Sequence, residues 1–596
     1  MKTEYTRIAV IDKNKCQPKA CNYLCYRVCP PVKMGEDAIE VTNRENWTPP
    51  TINEKLCTGC GICPNKCPFK AITIINTGIK FGEPIHQFGQ NTFRVYSLPN
   101  SEKGFITGLI GINGSGKTTS INILSGNLVP NLGKYNDPAD IDKVIEYYKG
   151  KNIQKNFIEI KDKKLSFAYK IQKVEDIPKV FKKSVKELLE NISEDKEYYT
   201  KIVQELEIES LLEKTPSQVS GGELQRIAIA ACLLKDAQLY FFDEYTTFLD
   251  IKQRFKIAKI LREKINENSS IMLIEHDLAI LDYVSDFVQI MFGRKNAYGQ
   301  SSNKKTTKKG INEFLEGFLK EENIRIRTHK IEFSSAKFST EKREDITLIK
   351  YPAFNKTLGN FKLKVEKGDI KKGEIIGVLG PNAIGKTTFI KILAGEIESD
   401  NKDLDVNLKV AYKPQYIDLK EDITVRELFL KKEINQEVFN SEIKRQLDIE
   451  SIIDQEINQL SGGELQKVAI AYTLSKDADV YLIDEPSAFL DVEQRLVVSD
   501  VIKSVVLKKE KSALVVDHDL LLIDYISDRV LLFEGEASIN GFANKIDKIE
   551  ASFNKFLKEQ NMTFRQDPDT KRPRANKPDS QKDKEQRKDN NYYYTI

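Results

Sequence analysis

Apolar positions along the chain fall into patterns that occur twice. Two nearly unbroken runs, Leu239-Tyr240-Phe241-Phe242 and Val480-Tyr481-Leu482-Ile483, read as buried strands, and each delivers an acidic pair, Asp243-Glu244 and Asp484-Glu485. Two other apolar runs lead into glycine-rich loops, Gly111 to Thr118 and Gly380 to Thr387, each followed by helical periodicity. Strand, loop and helix in that order predict an α/β fold. Between the first loop and Gln172, the stretch from about Tyr135 to Lys164 reads as a helix, a break at Gly150 and a second helix, with Asp140, Lys143, Glu146 and Lys149 on an exposed face. The Ser/Thr/Lys-rich segment Gln300 to Gly310 reads as a linker, and the charged carboxyl-terminal tail has little apolar content, which leaves open whether it is ordered or solvated and disordered after about Lys577. No apolar run reaches the roughly 18 residues of a membrane span, and Met1 to Lys15 has no apolar signal region. The expectation is a soluble, cytoplasmic chain without membrane association.

Both loops, Gly111-Ile112-Asn113-Gly114-Ser115-Gly116-Lys117-Thr118 and Gly380-Pro381-Asn382-Ala383-Ile384-Gly385-Lys386-Thr387, fit G-x-x-x-x-G-K-[ST]. A lone glycine-rich turn is often a plain strand-to-helix corner, but here the accompanying motifs repeat in register. Ser220-Gly221-Gly222-Glu223-Leu224-Gln225 and Ser461-Gly462-Gly463-Glu464-Leu465-Gln466 are similar to the signature of ATP-binding cassettes. Ser220 precedes Glu244, and Ser461 precedes Glu485, by 24 residues, while His276 and His518 follow those glutamates by 32 and 33. Two homologous domains explain such matched periods. They differ in one interval: Lys117 to Gln172 is 55 residues, Lys386 to Gln415 only 29, which locates the insertion.

Phosphoryl-transfer electrostatics give each residue a role. Lys117 and Lys386 neutralise β- and γ-phosphate oxygens, while Asn113, Gly114, Gly116, Thr119, Asn382, Gly385 and Thr388 belong to the cradle of loop amides and the helix start. Thr118, Gln172 and Asp243 in one copy, and Thr387, Gln415 and Asp484 in the other, suit Mg²⁺. Glu244 and Glu485 orient or activate water, and His276 and His518 reach the γ-phosphate region. Phe88 and Tyr351 are candidate adenine platforms upstream of the loops. An acidic pair ending a strand is often a mere helix cap, and a lone histidine is usually structural; the shared spacing argues against both.

The 92 basic and 88 acidic residues leave a formal charge of +4, too balanced for a protein coated in positive charge for naked nucleic acid. Eight of nine cysteines lie between Cys16 and Cys67, as Cys16-x4-Cys21-x3-Cys25-x3-Cys29-Pro and Cys57-x2-Cys60-x2-Cys63-x3-Cys67-Pro. The second is the ferredoxin run, in which three close cysteines hold one 4Fe-4S cluster and the fourth ligates the other. That logic groups Cys57, Cys60 and Cys63 with Cys29, and Cys16, Cys21 and Cys25 with Cys67. Zinc is the serious alternative and disulfides the poor one. Cys232 reads as core.

With the cysteines, the twin cassettes, Asn14-Lys15-Cys16-Gln17-Pro18-Lys19, Arg565-Gln566-Asp567-Pro568 and Arg572-Pro573-Arg574 with Asn576-Lys577, the chain resembles one family: the ABC E subfamily, or ribonuclease L inhibitors. The resemblance implies an N-terminal ferredoxin-like α+β domain with two 4Fe-4S clusters (1–78) and two ABC-type P-loop ATPase domains arranged head to tail (79–299 and 333–548). A linker with a first hinge segment (300–332), and a second hinge segment with the tail (549–596), complete it. Phe318-Leu319-Lys320-Glu321-Glu322-Asn323 through Arg327 recurs as Phe556-Leu557-Lys558-Glu559-Gln560-Asn561 through Arg565, which the family would use as a composite hinge. Each ATP would lie between one phosphate loop and the opposite signature (Ser461, Gly462 and Gly463 or Ser220, Gly221 and Gly222), in a monomer whose cassettes pair within the chain. The family's activity is ATP hydrolysis coupled to splitting ribosomes. Its implied partners are the ribosome, chiefly the small subunit and its RNA, a class I release factor or its rescue paralogue, and initiation factors. An iron-sulfur assembly or redox-linked ATPase, and a cassette translation factor at the tRNA exit site, are the rival readings. Tyr245 stands where the second copy has Pro486, and Ile171 where it has Pro414, which leaves the geometry of the first site open.

Overall fold

A computed structural model describes residues 6–13, 15–77, 82–137, 139–333, 346–400, 409–414 and 423–594. In the cysteine-rich domain Thr6–Ile11 pairs antiparallel with Ile72–Thr77, and Ile39–Glu40 with Thr51–Ile52. Its core is small and mixes Ala9, Ile11, Ala38, Ile52 and Ile72 with buried cysteines. Asn91 of the first cassette stitches the domain on, donating to the carbonyls of Ala9 (3.2 Å) and Ile52 (3.0 Å), and Arg94 pairs with Glu54 (2.9 Å).

Each cassette is built on one large sheet. In the first, parallel strands run in the order Phe167–Lys170, Leu239–Asp243, Ser270–Ile274, Ile106–Gly111 and Phe287–Arg294, and antiparallel pairing with Tyr298–Ser301 leads on to Arg94–Val95 and His86–Gln87. The second repeats the order with Val410–Lys413, Val480–Asp484, Ser512–Val516, Ile375–Leu379 and Arg529–Glu536. Every residue of Ile106–Gly111, Leu239–Asp243 and Ser270–Ile274 is buried, because helices cover both faces; this is why these strands read as continuous apolar runs. Loops at the carboxyl ends of the strands carry the motifs, as in other open α/β sheets.

The insertion comprises Ile141–Tyr147 and Gln154–Lys161, with Gly150 at φ 77° between them. Val144, Tyr148 and Phe157 are buried against Ile85 and Ile123 of the cassette, while Lys143, Lys149, Lys151 and Lys155 are exposed. Ile123 lies on the helix that starts at Lys117, so the arm is packed onto the phosphate-loop helix.

One reading of the sequence is corrected, and one question that it left open, the order of the tail, is answered. Gln300 to Gly310 is not a flexible linker: Gln300 and Ser301 are in the sheet, and Thr307–Glu316 is helical. Its polar composition misleads because Lys305 is buried among Glu313 (3.2 Å), Glu321 (3.0 Å) and Glu322 (3.0 Å), which satisfy its charge. The tail is ordered past Lys577, forming the helix Gln581–Lys588. Tyr593 beyond it is buried, packs at a tilt against Phe553 and hydrogen-bonds Asp524, so a few aromatic anchors outweigh the charged composition. The hinge segments cross between cassettes: Arg327 faces Glu493 of the second (3.6 Å), while Arg572 and Arg574 bind Asp282 of the first. Among the described residues no helix is long and apolar enough to cross a membrane.

Candidate active sites

Each phosphate loop turns tightly enough to require glycine. Gly116 and Gly385 have φ of 91° and 100°, and a Cβ on either would sit 2.9 Å from the ring of Phe93 or Phe361. The helices then begin at Lys117 and Lys386, so their free amide ends point at the loop, an arrangement suited to phosphate. Lys117 Nζ donates to the carbonyls of Gly111 (2.8 Å) and Ile112 (3.1 Å), and Lys386 Nζ to those of Gly380 (2.7 Å) and Pro381 (2.8 Å). Burial lowers the pKa of both, that of Lys386 to about 8. Thr118 Oγ1 donates to Asp243 Oδ2 at 3.0 Å and Thr387 to Asp484 at 3.4 Å; Thr119 and Thr388 follow, half-buried.

Asp243 Oδ1 is buried without a hydrogen-bond partner. An anionic oxygen left so, beside a threonine hydroxyl, fits a hard cation. Burial and the neighbouring Glu244 charge push the Asp243 carboxyl up to about 6, and burial raises Asp484. Glu244 and Glu485 adopt left-handed backbone angles, φ 49° and 47°, that turn their side chains out of the strand ends. The turns are pinned. Gln225, the last residue of the first signature, donates to the carbonyls of Glu244 (3.0 Å) and Tyr245 (2.8 Å), and Gln466 to Glu485 (2.6 Å). Buried Lys170 and Lys413 hold the carbonyls of Asp243 (2.8 Å) and Asp484 (2.6 Å) from the other side.

His276 and His518 each stand 3.7 Å from the glutamate of their own cassette. Burial first, then the nearby lysine charge, lowers both pKa values well below the usual range, so the rings are neutral at neutral pH. His518 Nε2 is 2.9 Å from Asn382 Oδ1, whereas His276 Nε2 has no hydrogen-bond partner. Gln172 Nε2 donates to Glu244 Oε1 at 2.8 Å; Gln415 lies outside the described residues.

The signatures start helices. Ser220 caps Gly221–Leu234 and Ser461 caps Gly462–Leu474, each in a reciprocal box with Glu223 or Glu464. Their glycines admit a close approach, since a Cβ on Gly222 would lie 2.9 Å from the Phe248 carbonyl and one on Gly463 3.0 Å from that of Phe489. A cleft of about 780 Å³ is lined on one side by Asn113, Gly114, Gly116, Lys117 and Thr118 and on the other by Ser461, Gly462 and Gly463, with Lys15 and Lys295 also in its wall. The first phosphate loop and the second signature thus share one site.

Reciprocal contacts join the cassettes through residues the motif reading passed over. Asp491 accepts from Asn113 N (3.1 Å) and Asp250 from Asn382 N (3.1 Å), so each phosphate loop is braced by the opposite cassette. The signal was present as Phe-Leu-Asp at the same distance after each glutamate, Phe248-Leu249-Asp250 and Phe489-Leu490-Asp491. The adenine candidates are also corrected. Tyr351 is buried against Phe354 and Phe389, and Phe88 is exposed, edge-on to His86. Half-buried Phe93 and Phe361, against the loop glycines and 24 and 25 residues before the lysines, occupy the place such a platform needs.

The eight amino-terminal cysteines border two hollows. Cys16, Cys21, Cys25 and Cys67 line one; Cys29, Cys57, Cys60 and Cys63 line the other. Burial, reinforced by neighbouring cysteines, pushes the thiols of Cys16 and Cys63 up to about 12. Such thiols resist bare ionisation together, and a cationic iron-sulfur core offsets that cost, so the donor set fits clusters. Among the described residues no three His, Cys, Asp or Glu side chains close on a single-ion site.

Known proteins share this combination. Residues 100–247 and 363–488 match the ABC transporter family, 6–37 a possible Fer4-like domain in RNase L inhibitor, and 50–73 the 4Fe-4S binding domain. Translation initiation factor RLI1 of Saccharomyces cerevisiae is 41% identical, with 100% of this chain and 99% of that protein covered. A model of ribosome-bound archaeal Pelota and ABCE1 superposes with a TM-score of 0.92 at 47% identity, covering 99% of this chain and 100% of that one. The archaeal ribosome recycling factor aABCE1, in complex with the ribosomal stalk protein aP1, gives 0.81 at 46% identity, covering 86% and 99%.

Proposed function

The chain belongs to the ABC E family of RNase L inhibitor proteins, and from that premise we propose that it is a ribosome-recycling ATPase with a link to initiation. ATP closes the cassettes, and closure drives the ribosomal subunits apart. The observation that carries this reading is the shared cleft, in which one phosphate loop and the opposite signature face one another. A ligand held by both walls glues the lobes together, and its hydrolysis frees them.

Within each site, Lys117 or Lys386 and the loop amides bind the β- and γ-phosphates, while neutral His276 or His518 approaches the γ-phosphate. Glu244 or Glu485 orients the attacking water and accepts its proton. Signature amides from the other cassette hold the same phosphates, so an open site lacks half its donors. Thr118 with Asp243, and Thr387 with Asp484, would hold Mg²⁺, with Gln172 beside the first pair. That ion supplies charge neutralisation at the phosphates.

In the amino-terminal domain, Cys16, Cys21, Cys25 and Cys67 would hold one 4Fe-4S cluster and Cys29, Cys57, Cys60 and Cys63 the other. Such clusters cross-link a domain whose own core is small. Anaerobically purified protein should then carry about eight irons and about eight acid-labile sulfides per chain. Stoichiometric zinc without sulfide would replace that assignment.

The partners are the ribosome, chiefly the small subunit and its RNA, together with a class I release factor or its rescue paralogue, all in the cytoplasm. Sedimentation of ribosomes with the purified protein, such a factor and ATP tests the function. Free subunits should appear with ATP and not with ADP. Intact ribosomes under both conditions, from a chain that hydrolyses ATP, would reject recycling as its role.

A further inference from the structure

Between the two sites lies a small pocket of about 60 Å³, bordered by Glu244, His276, Glu485 and His518. Two arginines complete it, and neither belongs to a motif used above. Arg254 lies one turn into the helix after Asp250, and Arg495 one turn into the helix after Asp491. Both guanidinium groups are largely buried, at 12% and 15% side-chain exposure.

Their contacts form a crossed pair. Arg254 Nε donates to the Leu249 carbonyl of its own loop (2.9 Å), and its Nη1 donates to Asp277 Oδ2 (3.0 Å) and to the backbone carbonyl of His518 in the other cassette (3.2 Å). Arg495 mirrors this with the Leu490 carbonyl (3.0 Å), Asp519 Oδ2 (2.6 Å) and the carbonyl of His276 (3.4 Å). The acceptors are themselves fixed. Asp277 Oδ1 caps the helix Leu278–Val284 by accepting from Ala279 and Ile280, and Asp519 Oδ1 caps Leu520–Ile526 in the same way. Each arginine therefore grips the histidine loop of its own cassette through an aspartate and that of the other cassette through a main-chain carbonyl.

The cost of burying a charge is met only when the geometry is good and the remaining donors are satisfied. The cross-cassette bonds exist only with the lobes together. Separation would strip each guanidinium of one acceptor, and the His276 and His518 loops would lose their mechanical link. Resting on the reading that these histidines serve the γ-phosphates, we propose that Arg254 and Arg495 are positioning residues forming a reciprocal clamp, which joins the two histidine loops and makes the geometry of each ATP site depend on the other.

Coupling between the sites shows in the steady state as a departure of the two-site rate from the sum of the single-site rates. In the full chain with its iron-sulfur domain loaded, the kcat values of Glu244→Gln and Glu485→Gln report the second and first sites in turn. Independent sites make the unsubstituted kcat equal the sum of those two. The clamp predicts a departure from that sum of about fivefold or more, in either direction. In the Arg254→Gln/Arg495→Gln background the same ratio should move about threefold or more toward unity, even if every rate also falls, the remainder being the share that ATP held between the lobes contributes by itself. A merely structural role would lower the rates and leave the ratio unchanged.

Should the glutamine pair not fold, Arg254→Lys/Arg495→Lys serves instead. It keeps a cation for each aspartate but loses the fork that reaches the second acceptor, and it should shrink the ratio toward unity. A ratio of unity with both arginines intact, or an equal departure with and without them, overturns the clamp. Unslowed hydrolysis in Glu244→Gln and Glu485→Gln would instead reject the assignment of the sites on which it rests.

Discussion

The two ATP sites agree wherever phosphate chemistry dictates geometry and diverge one layer further out. Both lysines bond the same two loop carbonyls, both glutamates turn at the same left-handed angle, and both turns are pinned by a glutamine and a buried lysine. Outside that frame the first site has Tyr245 for Pro486, Lys295 for Ala537, a helical arm on its phosphate-loop helix, and Lys15 of the cysteine domain in its wall. The second has a histidine bonded to Asn382, whereas the first has a histidine free of such a bond. The shared frame predicts the same chemistry in both sites. Among the described residues the divergent layer attaches the first site to the parts expected to meet the ribosome, so its occupancy is well placed to register the docking of the chain.

The largest expected effect tests the shared frame. Glu244→Gln and Glu485→Gln each remove a base but no nucleotide contact, so each should slow hydrolysis at its own site by roughly a hundredfold or more while ATP affinity is kept. Single-turnover hydrolysis and equilibrium binding of radiolabelled ATP separate these outcomes. Normal turnover in both variants would break the comparison at its root.

The arm is the next largest difference. Its deletion is a poor test, because it would uncover Ile85 and Ile123 and loosen the helix that carries Lys117. Replacing exposed Lys143, Lys149, Lys151 and Lys155 by glutamine leaves Val144, Tyr148 and Phe157 in place. If those lysines meet RNA phosphates, ribosome affinity should fall about tenfold to a hundredfold at moderate salt and its salt dependence should flatten, with ribosome-free ATP hydrolysis unchanged. Co-sedimentation across a salt series reads this. An unaltered salt slope would make the arm a packing element of the first cassette alone.

A smaller effect probes the adenine side. Phe93→Ala and Phe361→Ala should raise the KM for ATP about three- to tenfold at the site concerned, the worth of one stacked ring, with kcat little changed. Tyr351→Phe, in contrast, keeps a core ring packed on Phe354 and Phe389 and should leave KM alone. Equal responses from Phe93 and Tyr351 would reject the reassignment.

That reassignment marks the limit of what the sequence displays. The strands, loops, signatures and the grouping of Cys16 with Cys67 and of Cys57 with Cys29 were legible, because glycine, lysine, cysteine and acidic residues at fixed spacing have few other uses. Phe93 and Phe361 were not, since an aromatic residue at or beside the start of a strand looks the same whether it packs or stacks; only its distance to Gly116 or Gly385 separates the two. Asp250 and Asp491 hid for another reason. Each also caps the helix that follows it, a local role that fully explains the residue until the opposite loop is brought alongside. The buried Lys305 and the packed Tyr593 show composition failing where partners distant in sequence satisfy a charge or cover a ring.

The smallest effect sharpens the comparison at its most local point. Tyr245 is fully buried in the turn after Glu244, edge-on to Phe242, and its hydroxyl has no hydrogen-bond partner. Because Glu244 and Glu485 adopt nearly the same φ, 49° and 47°, the ring does not act by bending the turn. An unpartnered buried hydroxyl costs on the order of 1 kcal/mol or more, so Tyr245→Phe should stabilise the first cassette by about 1 kcal/mol and leave its hydrolysis rate within about twofold. Urea unfolding followed by a probe in the first cassette, together with single-turnover hydrolysis, measures both. A loss of stability would mean that the hydroxyl is tied through water to Glu275 or Asp277, the carboxylates whose charges bear on it. In that case Tyr245 would be an additional polar strut beneath His276, with no counterpart under His518, and the asymmetry of the two sites would begin directly behind the water-activating glutamate.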